Sequence, residues 1–233
     1  MATTIKKTRV RLTNTNTGVS TIQEQDGEVT AFVATDLSPY TTYTAECSFM
    51  QKVTWYPNEQ WTTYSSPVTF TTLPLSQSSY LVGYDSDRQV YSFSNSSNAY
   101  TEPTSASGYA TIYLTRGTGA VTYFYWNFGL NIPEDATILS VTCRFRALTE
   151  TTVSARIPVH TGQLYAGTTT PKGTPVTIAN TATTYTVTFS GSDWTATELN
   201  NAKLKMYAER GTENVNTSYG MRMYGAEMVV EYY

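Results

Sequence analysis

Groups able to do bond-making chemistry are few in this sequence. His160 is its only histidine, and Cys47 and Cys143 are its only cysteines. A Ser-His-acid or Cys-His centre would have to use His160, yet neither cysteine nor any serine stands in a nucleophile turn. Zinc asks for a cluster of His and Cys ligands, which one histidine and two widely separated cysteines do not supply. Asp85, Asp87, Asp193 and Glu198 carry the hard oxygens that calcium prefers, but Asp85-Ser86-Asp87 lacks the rest of a calcium-loop signature and reads as a solvated turn. Glu134, Asp135 and Asp193 read as turn acids, since glycoside hydrolysis needs two carboxylates facing each other across a cleft. No glycine-rich phosphate loop is present. The sequence predicts no catalytic centre, no metal and no cofactor.

Aromatic side chains are the other chemical resource, with 19 Tyr and 4 Trp. Residues 52–64 bring Trp55, Tyr56, Trp61 and Tyr64 onto what reads as a loop or extended hairpin. Rings at loop tips offer a large contact area with little rotamer entropy to lose, which suits protein interfaces and sugar stacking. The alternative is that Trp55 and Trp61 fold back as a satellite core. Along residues 120–128, Phe124, Trp126 and Phe128 share the core face. Tyr123 and Tyr125 are therefore expected to face outward or toward a second subunit. Tyr232 and Tyr233 read either as docking groups or as part of an ordinary edge strand.

The elements that must carry these groups are strands. Of 233 residues, 40% are hydrophobic and 13% aromatic, and only 14% are charged. β-branched and aromatic side chains pack well on a pleated surface, whereas the Lys and Glu of surface helices are scarce. The expected class is all-β. A net charge of −3 leaves no excess of cations for a phosphate backbone, so nucleic acid is not an expected partner. No apolar run approaches the ~20 residues needed to cross a bilayer. The first residues lead into alternating positions rather than a signal-like apolar stretch, which fits folding in a cytosol. Both cysteines sit in strand-like patterns in different segments, so the expectation is two buried thiols and no disulfide.

Residues 8–72 read as short strands divided by turn signals. Asn14-x-Asn16-x-Gly18 marks one turn, and Asp26-Gly27 marks a hairpin into a strand over residues 28–37. The motif Leu37-x-Pro39-x-x-Thr42-Tyr43, followed by Ser66-Pro67-Val68-Thr69-Phe70-Thr71-Thr72-x-Pro74, resembles the second half of a fibronectin type III domain. That resemblance implies an Ig-like sandwich. Tyr43 would be its corner tyrosine, bonded back to the backbone, and Leu37 with Val68 or Phe70 would be core. The segment before Leu37 is too short for all the early strands of that family and lacks their buried Trp. The domain, residues 1–74, is then a reduced variant or one completed by a neighbouring chain.

Residues 75–79 read as a polar linker, and residues 80–233 as a second β domain. Residues 109–116 and 120–128, joined through Gly117-Thr118-Gly119, are expected to pair as a hairpin. In residues 139–147, Leu139, Val141, Cys143, Phe145 and Ala147 form one face. Further strands are expected at residues 152–159, 174–179, 184–189 and 203–209, with a short helix at 194–202 capped by Thr195 or Thr197. About eight strands in ~150 residues suggest a jelly-roll sandwich. The run Ile132-Pro133-x-x-Ala136-x-Ile138, the later Trp194-x-x-x-x-Leu199 and the final Val230-x-Tyr232 resemble the jelly-roll domains of bacteriophage tail, fibre and head-decoration proteins. The resemblance implies a non-enzymatic structural or adhesion component of a phage virion, assembled in the host cytoplasm. It would act as a homo-oligomer with other virion proteins, and a host-surface glycan is a possible partner. One rival is a carbohydrate-binding module stacking sugars on Trp55, Trp61 and Tyr64; the other is a glycan hydrolase.

Overall fold

The computed structural model describes residues 3–53, 58–85, 90–94, 96–103, 108–114, 121–150, 159–209 and 220–233. The chain divides into two compact units, Met1–Leu75 and Ser76–Tyr233.

The first unit contains β1 (Thr3–Asn14), β2 (Ser20–Asp26), β3 (Thr42–Val53), β4 (Gln60–Trp61) and β5 (Val68–Thr71). They form one antiparallel sheet in the order β2-β1-β3-β4, with β5 also on β3. The β1–β2 turn forms where the sequence signals it. Asn14 Oδ1 accepts the N–H groups of Asn16 and Thr17, and Gly18 supplies the positive φ of 71°. The second turn differs from expectation. Gly27 donates its N–H to the Lys6 carbonyl, and Thr8 Oγ1 both donates to the Gly27 carbonyl and accepts from the Val29 N–H. With its backbone groups drawn to β1 in this way, the chain after Gly27 runs irregularly, and residues 28–37 form no strand.

The Leu37-x-Pro39 corner does place a tyrosine as the motif implies. Tyr43 is buried, its hydroxyl accepts the Ser38 N–H at 3.1 Å, and its ring stacks on Phe70 at 5.9 Å. Phe70 rather than Val68 supplies the apolar contact, because Val68 is 67% exposed on the edge strand. Cys47 is half-buried, not fully enclosed. Tyr43→Phe removes the acceptor and should cost about 1 kcal/mol locally. Hydrogen exchange on the intact chain should show the Ser38 amide exchanging several-fold faster.

The second unit contains β6 (Leu75–Asp85), β7 (Val90–Ser94), β8 (Ala110–Leu114), β9 (Val121–Phe128), β10 (Ile138–Thr149), β11 (Val159–Ala166), β12 (Thr170–Thr177), β13 (Thr183–Ser190), the single-turn helix α1 (Ala196–Asn200), β14 (Ala202–Glu209) and β15 (Gly220–Tyr232). One layer runs β8-β15-β10-β13 and the other β9-β14-β11-β12, with β7 added beside β8 and β6 lying between β9 and β15. For eight successive strands, β8 to β15, that interleaving is the double Greek key of a jelly roll. β8 and β9 therefore do not pair as their turn signal predicts; they belong to opposite layers. The connecting residues 115–120 lie outside the described residues, as do residues 151–158 and the Ser86-Asp87 portion of the acidic turn.

Burial follows the period of two. Val141, Cys143, Phe145 and Ala147 of β10 are fully enclosed, as are Leu204, Met206 and Ala208 of β14, and they meet Phe124, Trp126 and Phe128 of β9. Burial drives the Cys143 thiol far above its ordinary pKa, which leaves no thiolate for chemistry. Residues 75–79 are the start of β6 rather than a free linker. Ser79 Oγ accepts the Gly129 N–H at 3.1 Å and Gln77 Oε1 accepts the Asn131 N–H at 3.3 Å, tying the segment to the second unit. Thr195, not Thr197, caps α1 in a capping box with Glu198.

Candidate binding face

The candidate site follows from strand register. Across β11, β14 and β9, Gln163 lies opposite Lys205 and Lys205 opposite Tyr125; the next row sets Thr161 against Tyr207 and Tyr207 against Tyr123. Because Leu204, Met206 and Ala208 point into the core, Lys203, Lys205 and Tyr207 must point out. Together with Pro175 of β12, residues Thr161, Gln163, Tyr165, Lys205 and Tyr207 line an open groove of about 290 Å³.

The Lys205 ammonium lies among three rings, 5.1 Å from the centre of Tyr165, 5.5 Å from Tyr207 and 5.6 Å from Tyr125. Ring faces are electron-rich and attract a cation, so the lysine is held over the groove as a fixed positive charge. The rings are themselves oriented. The Tyr125 hydroxyl donates to the Thr168 carbonyl at 2.8 Å, and its ring meets Tyr165 edge-on at 5.6 Å. The Tyr207 hydroxyl contacts the Glu209 carboxylate at 3.4 Å; burial and that negative charge together raise the phenol's pKa. Gln163 donates its amide N–H to the Gly173 carbonyl at 2.7 Å. The far end of β12 is anchored by Lys172, whose ammonium donates to Asp193 O and pairs with Glu198, each at 2.7 Å. The same lysine holds the Glu198 carboxyl below the usual range.

The aromatic residues singled out by sequence fall in different places. Tyr125 is on the outer face, but it is 4% exposed rather than open, because the turn carrying Thr168 and the Tyr165 ring cover it. Tyr123 occupies the adjoining position of β9; its side chain lies outside the described set. Trp61 and Tyr64 belong to the first unit, where both fold back on the sheet. The Arg9 guanidinium lies 4.0 Å from the Trp61 ring centre and 4.7 Å from that of Tyr64, while Arg11 sits 4.1 Å from Tyr64 and makes a two-pronged pair with Glu46. Trp55 and Tyr56 lie outside the described residues. Tyr165, Gln163, Lys205 and Tyr207 are the residues that sequence reasoning missed. The apolar alternation of β14 already implied two of them on the opposite face.

A smaller depression of about 190 Å³ beside β14 involves Asn127, Asn200 and Lys203. Its polar groups are committed to structure. Asn200 bonds both backbone groups of Ile132, and Lys203 donates to Asn127. His160 is half-buried on β11, where its carbonyl accepts the Ile178 N–H. Among the described residues no group of three His, Cys, Asp or Glu is placed to hold a metal, and no helix is long and apolar enough to cross a membrane.

No protein-family model matches the sequence, and no curated protein matches it. Among solved structures, those of the infectious bursal disease virus Gt and Gx strains align with 98% and 97% of this chain at 9% and 11% identity, with TM-scores of 0.31 and 0.30. The chain spans 56% and 55% of those two chains, a little over half their length.

Proposed function

We propose that this chain is a non-catalytic structural component of a virion, of the bacteriophage tail, fibre or head-decoration kind, which docks on the particle and presents its sandwich to a neighbour or to the host surface. The observation that carries the reading is the double Greek key of β8 to β15, an architecture shared by viral capsid and lectin domains, with tyrosines paving the outer face of one layer. The sequence resemblance to phage jelly-roll domains points the same way.

In this reading the first unit is the anchor. Val33, Val68 and Leu73 are 76%, 67% and 84% exposed there, Val19 just before the edge strand β2 and Ile22 within it are exposed as well, and among the described residues the outer edge of β2 is unpaired, so both an apolar surface and a strand edge are open. Many copies on one particle would let weak contacts at the sandwich add up through avidity. The test is composition. Mass spectrometry of gradient-purified particles of the virus encoding this chain should find its peptides at a fixed multiple of the main shell protein. Their absence from intact particles, with the chain abundant in the infected lysate, would overturn the assignment.

A further inference from the structure

We propose that β13 is a dimerisation edge: two copies of this chain pair β13 with β13, antiparallel about a two-fold axis normal to the sheet, so that the layer β8-β15-β10-β13 continues across the axis. β13 pairs with β10 on one side, and among the described residues nothing bonds to its other edge. A free strand edge is a template for any passing strand, and native proteins ordinarily blunt it with charge, proline or a bulge. The edge of the other layer, β12, is blunted in that way: it carries Pro171, Lys172 and Pro175, and its register with β11 breaks between Lys172 and Val176. In the first unit, the edge strand β2 carries Glu24 and Asp26. β13 reads Thr-Thr-Tyr-Thr-Val-Thr-Phe-Ser, with no charge, no proline and no register shift against β10.

Tyr185, Val187 and Phe189 point into the sandwich but are only half-buried, whereas the residues opposite them on β10, Phe145, Cys143 and Val141, are fully enclosed. Thr184, Thr186, Thr188 and Ser190 form an exposed hydroxyl row on the other face. A two-fold axis normal to the sheet keeps equivalent faces on the same side, so apolar meets apolar and hydroxyl meets hydroxyl. Because side chains alternate, the axis must fall between the two copies of one residue, and the longest overlaps centre it on Thr186 or Val187. In the first register Thr186 faces its own copy and Tyr185 faces Val187; in the second Val187 faces its own copy and Tyr185 faces Phe189. Neither brings a charge of one β13 against the other. The cations of β10 that lie opposite Thr186 and Thr184 are one strand back, where Arg144 is paired with Glu227 and Arg146 lies over Tyr224. β2 against β2 would instead bring Glu24 and Asp26 close to their own copies. An edge free of charge of either sign thus suits a second copy of itself.

Sedimentation velocity of the intact chain over a range of concentrations tests this. Wild type should dimerise reversibly. Thr186 is exposed and lies at or beside the axis in both registers, so Thr186→Lys and Thr186→Asp should each weaken self-association about tenfold as like charges meet, with melting temperatures near that of wild type. An equimolar mixture of the two should associate more tightly than either alone, because Lys then faces Asp. Thr174→Lys, at an exposed position of β12, should leave dimerisation unchanged. The pairing is overturned if wild type stays monomeric at roughly 0.5 mM, if the dimer is indifferent to both Thr186 changes, which assigns self-association to another surface such as β2, or if the mixture associates no better than its components. Should one variant fail to fold, the monomer–dimer balance of the other decides. A chain that dimerises through Thr186 but is absent from particles would sink only the virion assignment; a chain present in particles but monomeric when purified would sink only this pairing.

Discussion

Gly191→Ala is expected to destabilise the second unit by roughly 3 kcal/mol or more, the upper end of what overpacking costs. Gly191 follows β13 and opens the 3-10 turn Gly191–Asp193, whose cap is Ser190. A Cβ at this position would sit 1.8 Å from the Ile138 carbonyl oxygen and 2.5 Å from its carbon. Both obstacles are backbone at the start of β10, so no side-chain rotation relieves them. Either β10 moves, and with it the pairing of Ser140 to Ser190, or the turn opens and releases Trp194, which is buried against Phe189. At ~2–4 °C per kcal/mol for a chain of this size, the melting transition should fall by about 10 °C. The exposed neighbour Ser192→Ala should change stability by less than about 0.5 kcal/mol. Equal melting of the two variants would contradict the close approach.

Phe145→Ala should cost about 3–5 kcal/mol, as truncation of a fully buried aromatic does. The ring is 1% exposed and stacks on Tyr185 at 5.1 Å. It also reaches across to the other layer, where a Cβ on Gly162 would lie 2.7 Å from its tip. The absent side chain of Gly162 and the large one of Phe145 occupy the same space. Gly162→Ala alone should destabilise by ~1–3 kcal/mol, because the ring must shift. In the Phe145→Ala background the same change should be nearly neutral or stabilising. Denaturant titration of all four chains should give a coupling of 1 kcal/mol or more. Strict additivity would show that the two positions do not share that volume.

That exchange of volume also explains why β11 carries a weak signal in the sequence. Its inward positions are His160, Gly162, Leu164 and Ala166, a row with little apolar character, because Phe145 from the opposite layer fills what Gly162 leaves empty. Alternation was informative in β10 and β14, where each strand supplies its own share of the core. The Leu37-x-Pro39 motif was informative because the Tyr43 hydroxyl meets a backbone group only five residues away. Contacts set by distant segments could not be read. Alternation places Tyr125 on the outer face correctly but does not reveal that the Thr168 turn covers it. A glycine-rich connection serves a crossing between layers as well as a hairpin, so the pairing of β8 depended on where β15 would lie. Likewise, the strand expected after Asp26-Gly27 is lost to Thr8, which binds the backbone on both sides of Glu28 through groups that no local pattern marks.

The place of β15 in its layer bears on how the protein is made. It is the last strand in chain order, yet it sits in the middle of its layer between β8 and β10. While the ribosome is still translating, β10 has no inner neighbour on that side and β8 is paired only with β7, so the layer cannot close until residues 220–232 have been made. The first unit, whose strands pair with near neighbours along the chain, faces no such delay. Prematurely terminated products would thus carry a finished first unit and an open, unclosable second one. Such chains would expose the unpaired edge of β10 and be proteolytic targets, so closure of the layer discriminates against any product that lacks β15.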